Sequence, residues 1–286
     1  MIEYIKSLIM GIVTGITSLL PVSSSGHFSV GNKIISFSED SNVSALYYSL
    51  FMIVFSVVML ISFRKLYVRL FKGVSKNAKN NKLRLNNLII SIAVGMILFI
   101  PIPGLGKSLT DYFNIFFDSG NILNGFLSGA VSVFTGLVLA VSVWYAKNGK
   151  NRRKKAVPTK TAVRMSLYSV PAYVIPGASK VALSSANLVL CDVNTDIIFR
   201  EVYFYLAPQI FVVNLIRAVM LLVGGVHIDV ISLAIGAVMV VLSALLILSI
   251  IRKTDARKLF VFFSIYSVVF GIVAIALTLI PILSGV

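Results

Sequence analysis

Two short stretches place hydroxyls, a histidine and a lysine where the surrounding residues suit lipid. The first is Gly11-Ile-Val-Thr-Gly-Ile-Thr-Ser-Leu-Leu-Pro-Val-Ser-Ser-Ser-Gly-His27, an apolar run that reaches Pro21 and then Ser23, Ser24, Ser25, Gly26 and His27. The second is Pro176-Gly-Ala-Ser-Lys180, with Pro171 just before it. An unsatisfied polar group is costly in a bilayer interior, so such clusters need a purpose there. Pro21 and Gly26 break a helix and free backbone N–H groups, which together with the hydroxyls make a cradle for an anion. The plain alternative is a helix break whose serines bond back to carbonyls, with Lys180 snorkelling and His27 packed in a core. If the two breaks face each other, one pocket holds Ser23, Ser24, Ser25, Gly26, His27, Gly177, Ser179 and Lys180. Each polar contribution is a donor or a positive charge. That suits a phosphate or diphosphate head group whose lipid tail stays in the bilayer.

The elements that must position these residues are membrane helices. Of 286 residues, 58% are hydrophobic and only 13% charged, with a mean hydropathy of +0.95, whereas soluble domains carry about 25% charge. The net charge of +16 reflects where the cations sit. Nineteen of the 26 Lys and Arg residues lie in three stretches, 64–84, 147–160 and 252–258, all between apolar segments. This is the pattern of cytoplasmic loops, and nucleic acid is not an expected partner. Cys191 is the sole cysteine, which excludes an internal disulfide and a thiolate metal cluster. The first apolar stretch has no small-residue cleavage site, so it is not read as a removable signal peptide.

Apolar spans are expected at about 43–63, 85–103, 120–146, 200–224, 230–251 and 259–283. Residues 5–20 and 28–37 flank the first break, and neither half reaches the ~20 residues of a span. Parity constrains the rest. With 64–84, 147–160 and 252–258 inside, 104–119 and 225–229 lie outside. Between 160 and 225 the chain must then cross an odd number of times, and 200–224 supplies one crossing. The broken region 161–190 should therefore enter and leave on one face. The expected fold is an all-α integral membrane protein with about six transmembrane helices and two re-entrant helix pairs. It forms a single membrane domain, 1–286, with repeat 1 at about 1–146, a basic cytoplasmic loop at 147–160 and an inverted repeat 2 at about 161–286. In such plans, broken helices meet near the midplane and build the site. The side of the N-terminus follows from symmetry alone.

These residues resemble the bacterial undecaprenyl-diphosphate phosphatases of the bacitracin-resistance type. That family's first motif runs Gly-Xaa-Xaa-Glu-Gly-Xaa-Thr-Glu-Phe-Leu-Pro-Val-Ser-Ser-Thr-Gly-His. It matches at Gly11, Gly15, Thr17, Leu20, Pro21, Val22, Ser23, Ser24, Gly26 and His27. The second, Pro-Gly-Xaa-Ser-Arg-Ser-Gly, matches at Pro176, Gly177 and Ser179. Phe63-Arg-Lys65, Thr135-Gly-Leu137 and Phe263-Ser-Ile-Tyr266 with Gly271 extend the likeness along nearly the whole chain. The resemblance implies a multi-pass protein of the bacterial cell membrane that removes the terminal phosphate of undecaprenyl diphosphate, recycling the carrier lipid for peptidoglycan. It implies Ser24 and His27 as nucleophile and acid–base candidates and Ser179 on phosphate, where the pocket reading adds Ser23, Ser25, Gly26, Gly177 and Lys180. It also implies a divalent cation, Mg²⁺ or Ca²⁺. The partners are undecaprenyl diphosphate or phosphate and the bilayer, and a homodimer is compatible with this plan.

The departures bear on chemistry. The family's two motif glutamates fall on Thr14 and Ser18, the motif arginine on Lys180, and the following Ser-Gly on Val181-Ala182. Without those carboxylates no cofactor is evident from the residues themselves, and a lysine lacks the planar fork that grips phosphate bidentately. Among the ten acidic residues only Glu201 starts a span, where the helix dipole explains it. Two readings follow: a phosphatase, or a catalytically impaired paralogue that transports or senses polyprenyl phosphate.

Overall fold

In lipid every backbone amide must bond within its own segment, so helices dominate. The computed structural model describes residues 1–74, 79–117, 121–148, 154 and 156–283. Parts of the basic stretches at 64–84 and 147–160, and Asp118, lie outside the described residues. The helices are α1 (Ile2–Leu19), α2 (Ser24–Ile35), α3 (Ser41–Ser62), α4 (Arg64–Val74), α5 (Lys79–Met96), α6 (Leu109–Phe116), α7 (Ile122–Asn148), α8 (Thr159–Ser169), α9 (Lys180–Leu190), α10 (Thr195–Val223), α11 (Val230–Ile251) and α12 (Ala256–Leu283). Among the described residues, seven of them are long and apolar enough to cross a membrane.

Six of the seven are the expected spans. The seventh, α1, is an 18-residue helix, longer than the 5–20 stretch expected from sequence to fall short of a span; Pro21 ends it within the apolar run. Yet the chain returns. α2 brings it back until the Ser36 carbonyl accepts a hydrogen bond from Lys6 Nζ at 2.7 Å. α1 and α2 are thus the two arms of one broken hairpin. The second hairpin is α8, a 3₁₀ turn at Val170–Tyr173 and α9, whose end is tied to residue 154. Asn194 N donates to the Lys154 carbonyl at 3.1 Å, and Lys154 Nζ to that of Cys191 at 2.9 Å.

The hairpins open on opposite faces. Ser7 Oγ donates to the Ser232 carbonyl and Tyr47 OH to that of Asp229, so the N-terminus shares a face with the start of α11. The base of the second hairpin lies beside the start of α10, at the other face. α5 ends at Met96, earlier than expected, because Pro101 and Pro103 follow it. Two helices were unforeseen, α4 beside the basic end and α6 in the opposite loop. α7 packs along α12, α1 along α11 and α3 along α10, with α8 on α5. Gly129 and Gly271 let α7 and α12 meet backbone to backbone: a Cβ on Gly129 would lie 2.7 Å from the Gly271 carbonyl oxygen.

Candidate functional site

The two breaks meet tip to tip. Ser23 caps α2, its Oγ accepting from Gly26 N at 3.0 Å, and the same oxygen accepts from Gly177 N at 3.0 Å. One hydroxyl therefore satisfies an orphan amide on each hairpin. Gly177 has φ +103°, and a Cβ there would stand 2.1 Å from the Ser128 carbonyl oxygen of α7. Only glycine fits both demands. Ser132 and Thr135, also on α7, each donate to the Gly177 carbonyl at 3.3 Å. Ser25 Oγ lies 3.4 Å from Ser23 Oγ, and Ser179 caps α9 through Ala182 N.

Beside this junction is a buried polar chain. Lys180 Nζ donates to Tyr48 OH at 3.4 Å, and Tyr48 OH lies 2.9 Å from Ser24 Oγ. Lysine can only donate, so the order that uses each hydroxyl once runs from Lys180 to Tyr48 to Ser24. That leaves the Ser24 proton free to meet an anion. Lys180 Nζ also sits 4.6 Å above the Tyr173 ring, and Arg217 donates to the Tyr173 carbonyl at 2.8 Å. Arg217 stacks on Phe113 of α6 at 3.9 Å. Lys180 and Arg217 are 7% and 3% exposed, and among the described residues neither has an ion-pair partner. Arg217 Nε and Tyr173 OH are buried without hydrogen bonds.

His27 faces elsewhere. Its Nδ1 lies 2.6 Å from the Ser23 carbonyl, and a carbonyl only accepts, so Nδ1 carries the proton in the neutral ring. Nε2 then accepts from Tyr266 OH at 2.8 Å, and the ring stacks on Phe270 at 3.7 Å. Ser24 and Lys180 are joined through Tyr48, whereas His27 reaches the junction through the backbone of Ser23 and turns its ring to α12. The single pocket expected from sequence is thus two adjoining clusters. Ser18 Oγ contacts Met52 Sδ at 3.2 Å, one helical turn from Tyr48 on α3. Thr14 bonds back to the Met10 carbonyl at 2.8 Å, one turn before Ser18. Ser18 thus packs against α3 one turn from Tyr48, and Thr14 lies one turn before it on α1.

A divalent cation at this site would need hard oxygen ligands, mostly carboxylates. Among the described residues no three His, Cys, Asp or Glu side chains gather to supply them, the hydroxyls of Thr14 and Ser18 are engaged, and the charges beside them are positive. The residues do not fit the ion. Glu201 is no substitute: it is buried elsewhere, paired with Arg84 at 2.5 Å and Arg200 at 3.0 Å. That ion pair, and not the helix dipole, accounts for its place in α10. Sequence reasoning missed Tyr48, Tyr173 and Arg217. An arginine within a span is a signal of a site, but Arg217 stands near the end of α10, where snorkelling reads as well.

Residues 7–273 match the family model described as bacitracin resistance protein BacA. The chain is 27% identical over 280 residues to an undecaprenyl-diphosphatase of Parabacteroides distasonis, covering 97% of this chain and 99% of that protein. It is 26% identical over 279 residues to an undecaprenyl-diphosphatase of Bacteroides fragilis (96% and 98%). An undecaprenyl-diphosphatase of Campylobacter jejuni is 25% identical over 277 residues (95% and 93%).

Proposed function

We propose, from the premise that this chain belongs to the bacitracin resistance protein BacA family, that it binds the phosphate head group of a polyprenyl carrier lipid at the junction of its two hairpins. The lipid is undecaprenyl diphosphate or phosphate, and the setting is carrier recycling for the cell wall in a multi-pass bacterial membrane protein. The observation that carries this reading is the chain Ser24–Tyr48–Lys180, buried in lipid-facing architecture and without a carboxylate among its partners. Polar groups kept at that depth are there for a ligand that compensates them. The packing pairs support the two-half plan. Exchanging α1, α2, α3, α5 and α7 for α8, α9, α10, α11 and α12 turns the α1–α11 contact into α8–α5 and α3–α11 into α10–α5.

In the hydrolytic form of this reading, Ser24 Oγ attacks the terminal phosphorus while His27 takes the proton and undecaprenyl phosphate leaves; a water then attacks the Ser24-bound phosphorus, releasing phosphate and restoring the hydroxyl. His27 would first have to give up Tyr266. Loss of an efficient base costs about 10²–10⁴ in rate, so turnover is expected to be slow. The second reading, an impaired paralogue that carries or senses polyprenyl phosphate, is favoured by one observation: both His27 nitrogens are engaged with groups other than Ser24.

The test is phosphate release from undecaprenyl diphosphate by purified protein in detergent, beside His27→Ala. Release that disappears in the variant defeats the paralogue reading. Lipid binding without any release defeats the hydrolytic one.

A further inference from the structure

The two buried cations have a consequence for how the anion is neutralised. Lys180 and Arg217 both clasp Tyr173, one over its ring at 4.6 Å and one at its carbonyl at 2.8 Å. Like charges in a low-dielectric interior repel, and neither finds a carboxylate. Such a pair is costly unless something negative joins it. Arg217 keeps a buried Nε without a partner, and Phe113 covers the guanidinium from one side, its ring centroid 3.9 Å from Cζ, leaving a planar fork that can take phosphate oxygens. The carboxylate positions implied by the family pattern, Thr14 and Ser18, carry no charge, and Ser18 packs on Met52, one turn from Tyr48 on α3.

We propose that Arg217 and Lys180 together take the place of a divalent cation, so that this protein binds a polyprenyl phosphate head group without Mg²⁺ or Ca²⁺. The inference rests on the head-group reading above. It assigns Arg217 as a second phosphate ligand, brought to the site by α10 and backed by Tyr173 and Phe113. Two buried basic side chains supply the neutralisation that an ion held by two carboxylates would supply, with no ligand shell to assemble.

The experiment is equilibrium binding of undecaprenyl diphosphate to the purified full-length protein in detergent micelles. It is run in EDTA and then with Mg²⁺ or Ca²⁺ added. Affinity should agree within about twofold between these conditions. Arg217→Gln should weaken binding by roughly ten- to a hundredfold, the range for a lost charge-assisted hydrogen bond. Arg217→Lys, which keeps the charge and loses the fork, should fall between that variant and the parent. Thermal unfolding of each variant separates a lost ligand from a lost fold, and Arg217→Lys carries the test if Arg217→Gln does not fold. Binding that appears only with the metal overturns this inference and leaves the head-group reading standing. Unchanged affinity in Arg217→Gln also overturns it. No binding under any condition overturns both.

Discussion

Two clusters of buried charge occupy different parts of this molecule and are built on opposite terms. Near the face that carries the basic stretches, Glu201 is buried at 1% exposure and answered by Arg84 and Arg200. At the hairpin junction Lys180 and Arg217 are also buried and are answered by aromatic rings, a phenol and a carbonyl. The ion pair, made through Glu201 Oε1, ties α5 to α10 and answers its charge from within the chain, although Oε2 stays unbonded. A buried cation pair is open, and its missing half is a ligand. Charge alone does not mark a site; charge without its counter-ion does.

The junction can be broken most completely at Gly177. Gly177→Ala places a Cβ against the Ser128 carbonyl and asks alanine for a positive φ, so a loss of more than about 3 kcal/mol is expected. Unfolding in detergent would measure it, and a parent-like midpoint would show that the tips do not touch as described. Ser23→Ala should cost somewhat less, about 2–4 kcal/mol, because one hydroxyl caps α2 and also satisfies Gly177 N.

The comparison itself is tested by removing charge from each cluster. Glu201→Gln should lower stability by about 1–3 kcal/mol and leave lipid binding within about twofold of the parent. Its arginine partners are partly exposed and can turn to water, which keeps the cost at that level. Lys180→Ala should do the reverse, weakening lipid phosphate binding at least about tenfold while relieving repulsion with Arg217. Lys107→Ala, on an exposed loop, should change neither. If Glu201→Gln weakens binding as much as Lys180→Ala does, the two clusters do not differ in kind.

How far these features were legible in the sequence follows the range of the forces behind them. Pro21, Gly26 and Pro176-Gly177 act within a few residues, so both breaks could be read directly, and the basic stretches oriented the spans because charge asymmetry acts loop by loop. The return of the second hairpin to its own face followed from parity, and that of the first from symmetry with it. The direction of His27 did not, since it depends on which neighbour α2 turns toward, and α12 enters some 240 residues later through Tyr266 and Phe270. Arg217 was hidden for a similar reason: its sequence neighbours are apolar, and only the packing of α10 against the second hairpin and α6 brings it to Tyr173 and Phe113. Phe113 itself sits in a loop that hydropathy passes over.

The smallest change should be at His27, and it asks which cluster that ring serves. Tyr266→Phe removes one hydroxyl and keeps the stacked ring, so stability should fall by about 0.5–1.5 kcal/mol, the net worth of one hydrogen bond. Its effect on chemistry is the informative part. In the parent, the Nε2 lone pair is taken up by Tyr266, and a base that already accepts a proton donor is a poorer base. If His27 moves the proton of Ser24, freeing Nε2 should raise phosphate release from undecaprenyl diphosphate by a few fold, although a stabilising contact has been deleted. If His27 serves to hold α2 against α12, release should stay the same or fall with stability. A gain in turnover from a loss in hydrogen bonding would place His27 with the open cluster at the junction; a parallel loss of both would place it with the closed one, as structure and not as chemistry.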